Sequence, residues 1–245
     1  MKPSSISRSE AAALLAFGAH PDDIEFGCGA VIAQEAARQR PVHCVVCSRG
    51  ESASSGTLEL RTAEAEAAAR RLGASVEFID LGGDAHFERH VTHAIQLAAI
   101  IRRLRPSIVL APTTVENQHP DHAALGRMVR DAARLARYGG VPELRGQPAH
   151  AIGQLLLYAV TPDAQPGDLP EVLVDVSTPE VIQAWTDAMQ AHRSQLQTRN
   201  YVEMQLARAK FNGARCGVAY AVPLFPSDPV VVGSLEPLER GARHF

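Results

Sequence analysis

The feature that most constrains the fold is a regular alternation of short apolar segments with longer, alanine-rich segments. The apolar segments of the first half are five or six residues long and lie at 13–18, 42–47, 75–80 and 107–111. The alanine-rich segments favour helix and lie at about 28–39, 58–72, 91–105 and 121–137. Short apolar strands that alternate with helices are typical of βαβ units, whose parallel sheet is covered by helices on both faces.

The second half contains the same kinds of segment in a less regular order. Two further strands are predicted near 154–160 and 172–176. A hydroxyl residue with a glutamate in the following turn is typical of a helix start, and it predicts a helix at about 178–192. Another helix is predicted at about 201–215. The tail at 218–232 alternates proline with β-branched residues, which favours edge strands.

The chain is long enough to bury its own core, with 245 residues of which 46% are hydrophobic. No repeat, low-complexity tract or linker divides the sequence. We therefore expect residues 1–245 to form a single domain of the α/β class, Rossmann-like, with a mostly parallel sheet and helices on both faces.

Charge and hydropathy exclude two classes of partner. The formal net charge is −3 and the isoelectric point is near 6.4, whereas binding to nucleic acid or to an anionic membrane surface requires a basic face. No apolar stretch approaches the roughly 20 residues that span a bilayer. The first residues lack the apolar core of a signal peptide. We expect a cytoplasmic protein that binds neither nucleic acid nor membrane.

The four cysteines are too few for a disulfide framework in a chain of this length. Cys44 and Cys47 match a C-x-x-C motif, but they lie within a predicted strand. Residues three apart on a strand face opposite sides, so the two sulfur atoms are expected to diverge. We predict that both are core residues.

Each early strand is followed by a polar loop. The loops are HPDD at 20–23, SRGE at 48–51, LGGDAH at 81–86 and PTTVENQHPDH at 112–122. Ligand sites in open parallel sheets lie outside the carboxyl ends of the strands, and right-handed crossovers bring such loops to one edge. The first and fourth loops are therefore expected to meet.

Together these two loops predict a catalytic metal centre. His20, Asp23 and either His119 or His122 make a set of two imidazoles and one carboxylate. Three protein ligands with a fourth position left to water is the arrangement of catalytic zinc. Each motif alone is also compatible with an acidic turn at a helix start, but their joint occurrence after two strands favours the metal site.

The remaining polar groups of the two loops suit acid–base chemistry. Asp22 would lie beside the water at the metal and act as a general base. The histidine that does not bind the metal, His119 or His122, would act as an acid or an electrostatic stabiliser. Asp121 could orient that histidine.

Three other features are weaker candidates. His86, His90 and His93 have helical spacing but lack accompanying carboxylates other than Glu88, and a solvated helix start explains them. The glycines at 27–29 form an incomplete dinucleotide motif beside an acidic turn that would repel pyrophosphate. Ser48 lacks the motif that surrounds a nucleophilic serine.

The motifs AHPDD at 19–23 and HPDH at 119–122 resemble those of the LmbE-like (PIG-L) family of zinc-dependent N-deacetylases, which act on N-acetylglucosaminyl compounds. The resemblance extends over nearly the whole chain. The segment SGTLELR at 55–61 is similar to the family's substrate loop. Ser194–Gln195, YVE at 201–203 and GVAYA at 217–221 resemble the branch that contains bacillithiol-pathway deacetylases.

The resemblance implies a role for each of eight residues. It implies that the metal ligands are His20, Asp23 and His122. It implies that Asp22 is the base and that His119, steadied by Asp121, is the acid or the oxyanion partner. It implies that Arg61 touches the substrate or the departing acetate, and that Tyr201 is a mobile tyrosine that reaches the oxyanion.

The resemblance also implies the cofactor and the assembly. Zn²⁺ is the expected ion, although Fe²⁺ or another divalent metal also suits these ligands. The expected substrate is a small N-acetyl amino sugar conjugate, and the expected assembly is a homo-oligomer, a trimer or hexamer. Val222 stands where close relatives usually carry Glu, and His150 lies near a position where some carry a substrate-contacting Arg. These departures leave the aglycone open.

Two alternative functions remain at this point. One is an amidase that cleaves a related thiol conjugate. The other is a non-catalytic Rossmann-like module that binds a sugar or nucleotide without turning it over.

Overall fold

The computed structural model describes residues 12–116, 119–197, 199–239 and 241. Its strands are β1 (Leu14–Gly18), β2 (Val42–Val46), β3 (Ser75–Phe78), β4 (Ile108–Pro112), β5 (Gln154–Tyr158), β6 (Val172–Asp175) and β7 (Ala221–Pro226). Its helices are α1 (Asp23–Ala37), α2 (Leu58–Leu72), α3 (Val91–Leu104), α4 (Pro120–Arg137), α5 (Pro179–Ala191) and α6 (Tyr201–Arg215).

All seven strands form one sheet in the order β3-β2-β1-β4-β5-β7-β6. The first five strands of this order are parallel, and β7 runs antiparallel to both β5 and β6. The prediction of a Rossmann-like α/β fold with a mostly parallel sheet is confirmed.

Helices cover both faces of the sheet, and the side chains of β1 alternate between them. Leu14 and Ala16 pack into the core beneath α1, α2, α5 and α6. Leu15 and Phe17 pack into the opposite core, beneath α3 and α4. This two-sided burial explains why the strands are continuously apolar rather than alternating.

The two cysteines of the C-x-x-C motif lie in different cores. Cys44 packs on the α1 face and Cys47 on the α3 face, and both are buried and free. Burial raises the pKa of both thiols. The prediction that they are core residues is confirmed.

Helix α1 begins at Asp23, earlier than the expected start near residue 28. Every residue from Asp23 to Gln34 is buried, so this part of the helix has no polar face and no amphipathic stripe to mark its beginning. Gly27 also made the start of α1 hard to predict, because glycine is common in loops. A Cβ atom there would lie 2.2 Å from the ring of Tyr158, so glycine allows the helix to pack closely on β5.

The expectation of edge strands in the tail is wrong, because β7 lies inside the sheet. It pairs with β6 along Ala221 to Leu224 and with β5 at Phe225 and Pro226. All six of its residues are buried, which requires neighbours on both sides. Proline favours an edge position, but here the pairing with β5 extends over only two residue pairs.

Among the residues that the structure describes, no helix has both the length and the apolar composition needed to cross a membrane.

Candidate active site

The loops after β1 and β4 meet at the point where the strand order reverses direction. The two strands are neighbours in the sheet, and the chain continues from β1 towards β2 but from β4 towards β5. A crevice opens at such a switch point, outside the carboxyl ends of the strands. The structure thus brings together the two loops that the sequence analysis paired.

The loop after β1 forms a tight turn into α1. Asp22 adopts a positive φ of 122°, which is rare for a residue with a side chain and is a strained conformation. Asp23 is the first residue of α1, and its Oδ2 accepts hydrogen bonds from the backbone N–H groups of Ala19 and His20, each at 2.9 Å. The turn therefore places the carboxylates of Asp22 and Asp23 in different surroundings.

The loop after β4 enters α4 with His119 at the N-cap and Pro120 at the first helical position. Proline suits this position because its missing N–H would have no partner there. His122 lies in the first turn, with its Nε2 3.0 Å from Oδ1 of Asp23. The start of α4 thus places the imidazole of His122 against the carboxylate of Asp23.

His20, Asp23 and His122 each offer one ligand atom, and these atoms lie within 4.8 Å of one another. Two imidazoles and one carboxylate are a donor set that suits Zn²⁺ and other divalent ions. His20 and Asp23 are buried and His122 is half-buried, so the set is open on the side of the cavity. These residues fit a catalytic metal ion.

Asp84 is a site residue that the sequence analysis missed. It lies in the loop after β3, with Oδ1 3.1 Å from Nε2 of His20 and 3.5 Å from Nε2 of His119. His20, Asp84, His119 and Asp121 form a second group whose ligand atoms lie close together. Its position in a polar loop at the carboxyl edge was the available signal, but the loop carries no paired motif.

The carboxylate of Asp121 lies closer to His20 than to His119, the histidine that it was expected to orient. Its Oδ2 lies 3.2 Å from Nε2 of His20 but 3.8 Å from Nδ1 of His119. Its oxygens also accept hydrogen bonds from the backbone N–H groups of Ala85, at 2.7 Å, and Phe87, at 3.3 Å. In this structure Asp121 fixes His20 and the loop after β3.

The position of His119 at the N-cap of α4 determines which ring nitrogen carries the proton. Its Nδ1 accepts the backbone N–H of Asp121 at 3.3 Å, which leaves the proton of a neutral ring on Nε2. Burial and the neighbouring His20 lower the pKa of His119, so the neutral form is favoured. The ring can therefore present a neutral N–H donor to the cavity.

The two adjacent aspartates differ in acidity. Burial and the neighbouring Asp23 raise the pKa of Asp22 to about 6. Burial also disfavours the charged form of Asp23, but His122 and His20 outweigh it and hold the pKa of this carboxyl well below its usual range. Asp23 is thus a permanent anion, whereas Asp22 can exchange a proton near neutral pH.

The surrounding carboxylates favour positive charge at His20. Burial lowers the pKa of this imidazole, but Asp23, Asp121 and Asp84 outweigh the effect and raise its pKa to about 12. The same carboxylates would favour a bound cation, which agrees with the donor set described above.

Arg61 is buried beside Asp22. Its Nη2 donates to the backbone oxygen of Pro21 at 2.8 Å and lies 3.4 Å from Oδ2 of Asp22, and its Nη1 donates to the backbone oxygen of Gly50 at 3.3 Å. The side chain also lines the cavity, and its Nε has no hydrogen-bond partner among the described residues. The expected contact with substrate or acetate stays a prediction.

The cavity over the site has a volume of about 540 Å³, within the range of small-molecule sites. Tyr201, the first residue of α6, lines it, and its ring is tilted against that of Phe26 with the centroids 5.3 Å apart. Ser194 and Gln195, which precede α6, also line it. The structure brings Tyr201 to the same cavity as the metal-ligand set.

The weaker candidates from the sequence lie outside this arrangement. Among the described residues, His90 and His93 belong to no group that could hold a metal. His86 bonds through Nδ1 to the backbone oxygen of Asp84. Ser48 donates its hydroxyl to the backbone oxygen of Ala19 at 2.8 Å, which is a structural contact.

Neither departure from the family pattern falls among the described residues that line the cavity. His150 bonds through Nε2 to the backbone oxygen of Pro106. Pro106 precedes β4 and therefore lies at the amino ends of the strands, away from the site. Val222 is buried in β7 within the core of the α1 face.

Fold and site together define a Rossmann-like α/β protein with a candidate divalent-metal centre at the switch point of its sheet. Residues 15–133 match the family model described as "PIG-L: GlcNAc-PI de-N-acetylase". The chain belongs to the PIG-L family, as its motifs indicated.

Three known proteins are similar to this chain. The crystal structure of the conserved protein TT1542 from Thermus thermophilus is 33% identical with a TM-score of 0.77, covering 90% of this chain and 97% of that one. The uncharacterised deacetylase YaiS of Escherichia coli is 29% identical, over 74% of this chain and 90% of the relative. The 4-oxalmesaconate hydratase of Pseudomonas putida is 31% identical, over 51% of this chain and 53% of the relative.

The match to the hydratase thus spans about half the length of that relative. Both named relatives carry enzyme names, one a deacetylase and the other a hydratase.

Proposed function

We propose that this protein is a metal-dependent N-deacetylase that removes the acetyl group from an N-acetylglucosaminyl compound and releases acetate and a free amine. The observation that carries the proposal is the open set of two imidazoles and one carboxylate, with the separate carboxylate of Asp22 beside it in one cavity. The family description, a de-N-acetylase of a GlcNAc compound, supports this substrate class.

The proposed ligands of one divalent ion are His20, Asp23 and His122, with Zn²⁺ the expected ion and Fe²⁺ an alternative. When bound, the ion would polarise the acetyl carbonyl and lower the pKa of the attacking water. Asp121 and Asp84 hold His20 from the other side of its ring. Such outer contacts orient a ligating imidazole and set its tautomer.

Asp22 is the proposed general base. It accepts a proton from the attacking water as the oxygen bonds to the acetyl carbon. The carbon–nitrogen bond then breaks, and the amine leaves with a proton that Asp22 returns to it, so that acetate and amine are the products. Burial favours the proton-carrying form needed between these two events. Arg61 holds the carboxylate of Asp22 in place.

His119 and Tyr201 are the proposed donors to the oxyanion that forms at the acetyl carbonyl. The neutral Nε2–H of His119 suits this task better than proton donation, because burial lowers the pKa of the ring. Tyr201 lies on the wall of the same cavity, and its hydroxyl is the proposed second donor. Arg61 is proposed to touch the substrate or the departing acetate through its unpaired Nε.

Hydration of a carbon–carbon double bond is the second candidate function. The likeness to 4-oxalmesaconate hydratase favours it, because the same cavity would activate a water in either reaction. Both reactions need a returned proton, on the leaving nitrogen in deacetylation and on a carbon in hydration, so a pKa of about 6 at Asp22 suits either. The family description, a de-N-acetylase, is what favours deacetylation.

Metal analysis combined with a substrate panel tests the proposal. The purified protein is assayed for amine release from N-acetylglucosaminyl compounds and for loss of absorbance of unsaturated dicarboxylic acids. The proposal expects one divalent ion per chain and amine release that stops on chelation and returns with zinc. Hydration without amine release would overturn it.

We further propose a homo-oligomer, a trimer or hexamer, as the family resemblance implies, and the cytoplasm as its location, as the sequence analysis expected. Light scattering on the purified protein tests the assembly, and a monomer at micromolar concentration would contradict it. Membership of the bacillithiol-pathway branch stays a prediction that the choice of aglycone tests.

A further inference from the structure

The segment that follows β7 exposes several large apolar side chains within a short stretch. This segment, residues 228–239, is called the arm below. Four of its residues are each more than half exposed, namely Val230 (53%), Val231 (92%), Leu235 (75%) and Leu238 (61%). Exposed apolar residues gathered in one place mark contacts with other proteins, whereas single ones scattered over a surface do not.

The arm is not held to the rest of the protein by hydrogen bonds. Ser227 donates its backbone N–H to the oxygen of Leu155 at 2.9 Å. Beyond Ser227, the hydrogen bonds between described residues stay within the arm, where Leu238 and Glu239 donate to residues three positions earlier. Ordering such a segment costs conformational entropy, which contacts with a partner would offset.

A second cavity, of about 420 Å³, lies on the helices α3 and α4 and is called the α3–α4 groove below. Its apolar lining consists of Val91, Ala94, Leu135 and Tyr138, of which Val91 and Tyr138 are well exposed. Among the described residues that line this groove there is none from the arm, so the chain's own arm does not fill it.

Two arginines share one carboxylate in the lining of the α3–α4 groove. Asp131 accepts hydrogen bonds from Nε and Nη2 of Arg89, at 3.0 and 2.7 Å, but its Oδ1 lies 3.9 Å from Nη1 of Arg134. The guanidinium of Arg137 lies over the ring of Tyr138, with its central carbon 5.2 Å from the ring centroid. The groove is therefore apolar and positively charged, and arginine and tyrosine are enriched in protein–protein interfaces.

The arm has the complementary character. It contains no Lys, Arg or His, and it carries three exposed acidic residues, Asp228, Glu236 and Glu239. An apolar segment with negative charge fits an apolar groove with positive charge, because complementary potentials steer association and fix the register of a contact. Apolar exposure and charge thus pair the same two surfaces.

We infer that the arm of one copy of this protein lies in the α3–α4 groove of a second copy. The arm and the groove are different surfaces, so the contact is heterologous and runs from each copy to the next. Contacts of this kind form a ring where the rotation closes, and a ring of three would be the trimer proposed above. The inference specifies how the homo-oligomer is held together and does not depend on the deacetylase function.

Charges placed in either surface test the inference. Val231→Lys gives the arm the charge of the groove, and Val91→Glu gives the groove the charge of the arm. Light scattering over a dilution series should show that each change raises the apparent dissociation constant of the assembly by at least about tenfold. Phe211→Asp alters an exposed residue of α6 outside both surfaces and should assemble as the wild type does.

Cross-linking identifies the chain that supplies the arm. Two chains are made in a Cys216→Ser background, because the other three cysteines are buried. One chain carries Leu235→Cys in the arm, and the other carries a tag and Tyr138→Cys in the groove. On mixing, a short bis-maleimide should join the tagged chain to the untagged one. A cross-link that forms only within a single chain carrying both changes would overturn the inference.

The outcomes separate this contact from the assembly itself. A homo-oligomer that is unaffected by both Val91→Glu and Val231→Lys, or that depends equally on Phe211, would overturn the inference and leave the proposed assembly standing. A wild-type protein that is monomeric at micromolar concentration would overturn the proposed assembly, and the inference would fall with it.

Discussion

Asp22 and Asp23 are neighbours in the sequence but lie in different surroundings. Asp23 is tied to two backbone N–H groups and to His122, whereas Asp22 faces Arg61 and the cavity. The positive φ of Asp22 separates the two side chains. One carboxylate can therefore hold a metal while the other moves a proton.

The exchange Asp22→Asn tests this division. The amide keeps the size of the side chain but cannot accept the proton, so activity should fall by about 10²- to 10⁴-fold while the metal is retained. Metal content and amine release are measured on the same samples.

Asp23→Asn is the matched control for that exchange. Asp23→Asn should weaken metal binding rather than proton transfer, so that excess zinc restores part of the rate. Loss of the metal in Asp22→Asn with retention in Asp23→Asn would show that the two roles are the reverse of those proposed.

His119 is placed as a neutral donor by the cap of α4, and His119→Ala should remove one hydrogen bond to the oxyanion. Loss of such a donor typically lowers kcat by about 10²- to 10³-fold, so we expect a fall of that size with KM and zinc content nearly unchanged. His90→Ala, an exposed histidine outside the cavity, is the control. A His119→Ala variant with wild-type kcat would exclude this role.

Helix α2 connects three parts of the cavity wall. Arg61 reaches the turns at Pro21 and Gly50, and one turn further along the helix Glu64 accepts hydrogen bonds from the backbone N–H of Ser194 at 2.9 Å and from its hydroxyl at 2.6 Å. The buried face of one helix thus positions both the candidate base and the turn before α6.

Glu64→Ala should leave a buried N–H of the turn without a partner, at a cost of about 1–3 kcal/mol. Because Ser194 lines the cavity in which the substrate is proposed to bind, we expect KM to rise more than kcat falls. Glu66→Ala, an exposed glutamate of the same helix, should change stability by less than about 0.5 kcal/mol. Equal kinetic effects of the two variants would refute a positioning role for Glu64.

Helices and strands with a clear pattern of apolar residues were predictable from the sequence. Elements whose burial depends on tertiary neighbours were harder to predict. Helix α2 lies at 58–72 as predicted, because the segment is rich in alanine and other residues that favour helix. The start of α1 and the interior position of β7 could not be predicted, because α1 is buried on all sides and the pairing of β7 is settled by distant strands.

At the scale of the whole molecule, strand order explains why the two histidine motifs form one site. Adjacent β1 and β4 place the turns before Asp23 and His122 side by side. The paired motifs allowed this meeting to be predicted. Asp84 escaped prediction because its contact with His20 depends on the path of the loop after β3, which no local pattern encodes.

Zinc titration of metal-free protein, followed by calorimetry, tests whether His20, Asp23 and His122 bind one divalent ion. We expect one site per chain in the wild type and in His119→Ala. In His122→Ala we expect a loss of affinity of more than about 100-fold, beyond the 10- to 100-fold typical when an outer partner of a ligand is removed. A folded His122→Ala variant that binds one zinc ion with wild-type affinity would show that His122 is not a ligand.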